Sequence, residues 1–369
     1  MTAAVNSFPL MAIPFFLLAG NLMNISGVTR RIFNFAQALV GHVPGGLGHV
    51  SVVASMIFAG MTGSAVAEAG GLGVVELEAM TKRGYDVDFS AGVIVAAATI
   101  GPVIPPSVIF VLYGVLAEVS IGALFLAGFI PGVLMGLSLM VRVYLISRHK
   151  QYPVSARASL QEVWTSFWAS FFALLTPVII IGGMLAGLFT PTEAAVVAVI
   201  YALILGAFVY RELTLQDIWK TLRITGVQTA CVMIITATAV VLGWVLTRSQ
   251  FSQTITEFLL GITRDPRLIL LLLNIFLLIS GCFIEVIAAL IIYTPVIIPL
   301  IKAVEIDPVH FGVVMTLNLM IGLLTPPFGM GLYVVQKIAQ IPFERMVRAA
   351  APFILPLIIV LLLICLLYT

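Results

Sequence analysis

Charge is what this sequence has least of. Asp, Glu, Lys and Arg make up 9% of its 369 residues, against about 25% in soluble globular domains. A folded surface in water needs more than 18 Lys+Arg and 16 Asp+Glu can provide, so soluble enzymes and secreted scaffolds are excluded. A formal net charge of +2 is too small to indicate a polyanionic partner. Cysteine is almost absent. Cys231, Cys282 and Cys365 each sit in an apolar run with no metal-ligand spacing, and read as apolar filler. The opening MTAAVNSFPL has no basic stretch and no A-x-A site, so no cleavable signal peptide is expected. No G-x-x-x-x-G-K-[ST] is present, so the chain does not itself hydrolyse ATP. H-E-x-x-H and G-x-S-x-G are missing too, as is a TVGYG-type filter, which argues against intramembrane hydrolysis and a potassium pore. The four histidines (42, 49, 149, 310) fall near span ends with no ligating spacing.

What is present is hydrophobic: 61% of residues, with a mean hydropathy of +1.18. The chain reads as an all-α polytopic membrane protein. A crossing needs roughly 20 apolar residues, and such runs lie near 7–25, 90–117, 121–146, 168–188, 193–210, 224–247, 310–335 and 347–369. Two further runs, 47–81 and 266–302, are too long for one span and are interrupted by GMTGSAVAEAGG and GCFIEVIAA. Both read as re-entrant helical hairpins, whose non-helical tips are tolerated at depth only inside protein or against a cavity. This topology leaves Arg248, Arg264, Arg267 and Lys302 on one side and the other 14 Lys and Arg on the opposite, cytoplasmic side.

A shift of 221 residues lays IGPVIPPSVIFVLYG (100–114) on IGLLTPPFGMGLYVV (321–335), Gly60 on Gly281, Ser64 on Glu285 and Asp86 on Asp307. With a two-residue adjustment, 19–35 falls on 242–258. The halves share a span, an amphipathic arm (29–43 and 252–266), a hairpin and a broken transmembrane helix, and run in opposite senses through the bilayer. The arms fit either a bracing helix in the interface or an ordinary linker. Inverted repeats with broken helices mark secondary transporters with a midplane site.

The proline pairs at 105–106 and 326–327 break their helices. Carbonyls left bare at Gly101 and Gly322 suit a desolvated Na⁺, and the N–H groups of the half-helices that follow suit a carboxylate. Two cation cradles are expected. Gly60, Thr62, Gly63, Ser64 and Gly101 form the first; Gly281, Gly322 and Thr325 form the second, with Ser107 and Asn318 nearby. Of the ionisable residues at depth, Glu68 and Glu285 are expected near the ion sites. Glu193 fits a capping role equally well, and Arg248 fits snorkelling to the interface. Glu76 and Glu78 fit a cytoplasmic water-filled cleft. The same features admit a passive anion channel as the alternative to a transporter.

FAGMTGSAVAEAG, IGPVIPPSVIFVLYGVLAEVSIG, GLFTPTEAAVVAVIYAL, DPVHFGVVMTLNLMIGLLTPPFG and SFPLMAIPFFLLAGNLM together resemble the large membrane subunit (DctM-like) of TRAP, tripartite ATP-independent periplasmic, transporters. The likeness covers essentially the whole chain. It implies an elevator-type, Na⁺-coupled importer of organic acids such as C4-dicarboxylates or sialic acid, with two or more Na⁺ sites, in the bacterial inner membrane. It also implies a small membrane subunit (DctQ-like) and a periplasmic substrate-binding protein (DctP-like) as partners. Glu193 and Arg248 occupy motif positions in that pattern. One or two membrane segments are usual before SFPLMAIPFF in that pattern, so either the start of this chain is truncated or those helices are supplied or numbered otherwise, and Glu68 stands where Asp is usual. The expected organisation is a scaffold helix and arm (1–46), a first transport half (47–120), scaffold helices with the second arm (121–265), a second transport half (266–340) and a C-terminal helix (341–369).

Overall fold

The structure, a computed structural model, describes residues 8–150 and 152–367. Residues 1–7, where a leader was judged absent, and the last two residues of the final expected crossing lie outside them. Every regular element among the described residues is helical. The first half comprises α1 (Ala12–Ile25), the arm α2 (Val28–Val40), hairpin limbs α3 (Gly46–Thr62) and α4 (Ala65–Lys82), and the broken helix α5 (Val87–Ala98) and α6 (Val108–Ala117). Three helices follow: α7 (Ile121–Lys150), α8 (Leu160–Leu185) and α9 (Pro191–Ile204). The second half repeats the plan with α10 (Leu215–Arg248), the arm α11 (Phe251–Ile262), limbs α12 (Pro266–Gly281) and α13 (Val286–Ala303), and the broken helix α14 (Pro308–Gly322) and α15 (Met330–Ala339). Helix α16 (Phe343–Leu367) closes the chain.

Seven helices are long and apolar enough to cross a bilayer. The runs 90–117 and 310–335 are not among them, because each is cut into halves of 10 to 15 residues, about 15–22 Å long. Helix α13 is among the seven by length. Its first residues nonetheless open on an interior cavity beside the first hairpin's tip, so it is the returning limb of a hairpin. Helices α8 and α10 begin eight and nine residues before the apolar runs that announce them. Ser159 and Glu162 close a capping box at α8, and Thr214 and Asp217 exchange the same reciprocal bonds at α10. Polar first turns carry these helices past their apolar spans.

Helices α1, α2, α8, α9 and α10 pack on one another, with α9 along α1 and α8 along the arm. The limbs α3, α4, α12 and the broken helices form a second group with α16, which lies across α5 and α7. The sequence grouping placed α7 with the scaffold, whereas its main neighbours are α3, α14 and α16. In the arm, Ile32, Phe33 and Ala36 are buried as the expected stripe requires, while Leu39 stays exposed. Past α7, Tyr152 stacks between Tyr85 and Phe89, with ring centroids 4.6 and 4.8 Å apart. Its hydroxyl donates to Asp86 at 2.8 Å, and Lys150 pairs with the same carboxylate. Those two bonds hold the Asp86 carboxyl below its usual range.

Candidate functional site

Helices α3 and α4 part at Gly63, whose φ of +59° favours a residue without a Cβ. The tip also needs that absence for space: a Cβ on Gly63 would lie 2.5 Å from the Pro106 carbonyl oxygen. Ser64 then caps α4, its hydroxyl accepting from the Ala67 N–H at 3.4 Å. The first tip is therefore seated in the first break. The second half repeats the arrangement. A Cβ on Gly322 would meet the Gly281 carbonyl at 2.7 Å, and the Phe328 N–H donates to Cys282 O at 3.0 Å. Glu285 takes the place of Ser64, capping α13 by accepting from Ala288 N–H at 3.1 Å. Both Pro-Pro bonds in the breaks are cis.

A cavity of about 340 Å³ lies between the two groups of helices. Both tips line it (Gly63, Ser64, Glu285), as do Pro102 of the first break and Met320 and Leu323 at the second. The first residues of three helices open on it: Ala65, Val66 and Ala67 of α4, Val108 and Ile109 of α6, and Val286 and Ile287 of α13. Their N–H groups and positive dipole ends suit a carboxylate. The facing wall belongs to α1 and α10, with Leu17, Val227, Gln228, Cys231, Val232 and Ile235. Among the described residues the lining carries one carboxylate, Glu285, and no Lys, Arg or His. A carboxylate there would be held by backbone dipoles and neutral donors.

Behind the tips are buried oxygens that lack a well-formed hydrogen bond among the described residues. Glu68 is 1% exposed, with Ser55 the nearest polar side chain to act on its carboxyl and no well-formed hydrogen bond to either oxygen among the described residues, and Oε2 lies so close to Gly101 that a Cβ there would overlap it. The Thr62 hydroxyl is buried and unpartnered. Asn318 donates to Asn274 Oδ1 and to the Val314 carbonyl, leaving its own buried Oδ1 free. Orphaned acceptors next to a helix C-terminal end fit a desolvated monovalent cation, so the donor set at the first break agrees with Na⁺, while the Asn318 side chain lies about a turn back from the second break, beside Asn274.

The other expected residues divide clearly. Ser107 is fully buried; its hydroxyl donates to Pro102 O at 2.5 Å and accepts from Phe110 N–H, tying the first break to α6. The Thr325 hydroxyl donates to Ile321 O at 2.8 Å. Gly60 lies within α3, where a Cβ would meet Pro177 of α8 at 2.8 Å, so its small size admits that helix. Glu193 is exposed and engaged in a capping box with Thr190. Arg248 is exposed at the end of α10. Neither lines the cavity. Sequence reasoning overlooked Asn21, Thr225 and Gln228. An amide inside the apolar run GVQTACV was the available signal.

The whole chain, residues 1–369, matches the family model described as tripartite ATP-independent periplasmic transporter, DctM component. A sialic acid TRAP transporter large permease protein of Vibrio cholerae is 50% identical over 99% of this chain and 85% of its own length. The C4-dicarboxylate TRAP transporter large permease protein of Pseudomonas aeruginosa is 41% identical over 97% and 84%. The sialic acid TRAP transporter permease protein of Haemophilus influenzae is 44% identical over 98% of this chain and 59% of its own. The crystal structure of the Alcanivorax borkumensis YdaH transporter shares the fold, with a TM-score of 0.66 at 14% identity over 99% and 86% of the two chains. Paired tips, paired breaks and this whole-length match agree: the chain belongs to the DctM component family of the tripartite ATP-independent periplasmic transporters, and is a multi-pass protein of the bacterial inner membrane.

Proposed function

We propose that this large permease subunit imports an organic acid by Na⁺-coupled elevator movement. It works with a small membrane subunit and takes its solute from a periplasmic substrate-binding protein. Sialic acid is the first solute to test, because it is named for the relative at 50% identity. One observation carries the reading: two hairpin tips and two helix breaks, from opposite ends of the chain, line a single cavity. Thr62, Glu68 and the carbonyls near Gly101 would hold one Na⁺, and Asn318 with the carbonyls near Gly281 and Gly322 a second. The ion supplies positive charge beside a cavity whose lining has no cationic side chain. The starts of α4, α6 and α13 bind the solute carboxylate, and Ser64 and Glu285 keep the two tips folded over it. The hairpins, broken helices, α7 and α16 form the body that travels; α1, α2, α8, α9, α10 and α11 form the frame.

The test is uptake of labelled sialate into proteoliposomes holding the three-component system. Uptake should follow an inward Na⁺ gradient and stop without the binding protein. Equal rates with and without the gradient reject the coupling, and conductance independent of the binding protein favours a channel. Ser64→Ala removes the α4 cap, worth about 1 kcal/mol, so the Na⁺ concentration for half-maximal uptake should rise about fivefold. Thr325→Ala should shift it in the same direction at the second break. Unchanged Na⁺ curves for both variants dismiss the cradles.

A further inference from the structure

The frame wall facing the tips carries one polar device. Gln228 of α10 lines the cavity, half-exposed. Its amide is held by Asn21 of α1, whose Nδ2 donates one hydrogen to Gln228 Oε1 at 2.8 Å and the other to Thr225 Oγ1 at 2.9 Å. The acceptor end of Gln228 is thereby occupied. Its Nε2 group, which has no protein partner among the described residues, is the free end. Neighbouring lining on this wall is apolar: Leu17, Val227, Val232 and Ile235. A lone fixed donor in such a wall has a strong directional preference, because a solute lacking an acceptor there leaves the amide unsatisfied.

We propose that Gln228, oriented by Asn21 and Thr225, is a solute-binding subsite that donates a hydrogen bond to an acceptor oxygen of the bound acid. The inference rests on the transport reading above. The helix starts of α4, α6 and α13 approach the solute from the travelling side and Gln228 from the frame. A small acid with a single carboxylate reaches only one of these. The geometry therefore selects an organic acid with a second acceptor, a hydroxyl or acylamino oxygen, several bonds from its carboxylate. Because Gln228 sits on the frame, it holds the solute only while the tips face α10, and releases it when the travelling body slides.

The test is equilibrium binding of labelled sialate to the purified two-subunit membrane complex at saturating Na⁺, without the binding protein. Gln228→Leu should weaken binding about tenfold, the value of one hydrogen bond to a charged or strongly polar partner. Gln228→Glu, which presents an anion instead of a donor, should weaken it further. Asn21→Leu, which frees the amide to rotate, should fall between wild type and Gln228→Leu. The melting temperature of solute-free Gln228→Glu, which keeps an oxygen for the Asn21 amide to bond, and the Na⁺ dependence of binding in every variant should stay at wild-type values. If the triad only glues α1 to α10, Gln228→Leu and Asn21→Leu lower the melting temperature equally and leave sialate affinity unchanged; that result overturns the subsite. No sialate binding by the native complex removes the solute assignment and the subsite together.

Discussion

Gly322→Ala should abolish uptake while leaving a folded, membrane-inserted chain. The added Cβ would stand 2.7 Å from both the carbonyl carbon and oxygen of Gly281 and 2.8 Å from its Cα. All three atoms are backbone, so no side chain can rotate away. The two segments are also tied together, since Phe328 N–H donates to Cys282 O at 3.0 Å. Relief must come from lifting the second tip off the second break, and overpacking of this kind costs about 1–3 kcal/mol. Much of that cost falls on the tip, whose seating shapes the start of α13 and the cavity it opens on. A loss of about 100-fold in initial uptake rate corresponds to roughly 2.7 kcal/mol and is the expected size. Gly63→Ala should behave alike at the first tip, with left-handed backbone strain of about 1 kcal/mol added to the clash. Gly70→Ala is the control, because nothing lies within 4 Å of its Cβ position. Near-normal uptake by Gly322→Ala, with the amount of inserted protein matched, would show that the tip need not sit in the break.

The repeat was legible because it is written in residues whose geometry is special: two proline pairs and the glycines that pack against them. Gly63 and Gly322 are small for the same reason, a neighbouring backbone, and one fixed offset lays Gly60 on Gly281 and Gly101 on Gly322. Hairpins were legible from length, since 35 apolar residues fit neither one crossing nor two. Helix starts were less so. The polar turns at Ser159–Glu162 and Thr214–Asp217 look like loops when only apolar runs are counted, although both carry capping signals. Gly60 reads the same as Gly63 in sequence, yet its neighbour is Pro177, a contact between segments over a hundred residues apart that no local pattern encodes. Helix α7 shows the same limit from the other side. Its run is apolar but for Ser138 and Arg142, and neither says whether the buried face meets α8 or α3 and α14. Gln228 depends on Asn21, about two hundred residues away, for its orientation, and only the fold brings them together.

Glu68→Gln should uncouple uptake from Na⁺. The side chain is 1% exposed, neither oxygen makes a well-formed hydrogen bond among the described residues, and it faces the C-terminal end of α5, where Gly101 and the Ala98 carbonyl lie. A carboxylate there meets the negative end of a half-helix dipole rather than a compensating charge. Removing such a group from water costs several kcal/mol, and Ser55 with the first turn of α4, where Glu68 sits, offsets only part of it. A bound cation would stabilise that arrangement, and on the proposed reading the acid therefore belongs with the first cradle although it does not line the cavity. Glutamine keeps the shape but removes the charge, and its amide hydrogens would point at carbonyls that now need no ion. The Na⁺ gradient should then drive uptake at least about 100-fold more slowly, matching the loss of roughly 3 kcal/mol of ion binding. Glu68→Asp keeps the charge with a shorter reach and should retain Na⁺-dependent uptake, with a raised Na⁺ requirement. A Glu68→Gln complex whose uptake rises with Na⁺ along the native curve would detach this residue from the ion site. The cation would then be held by Thr62 and backbone carbonyls alone.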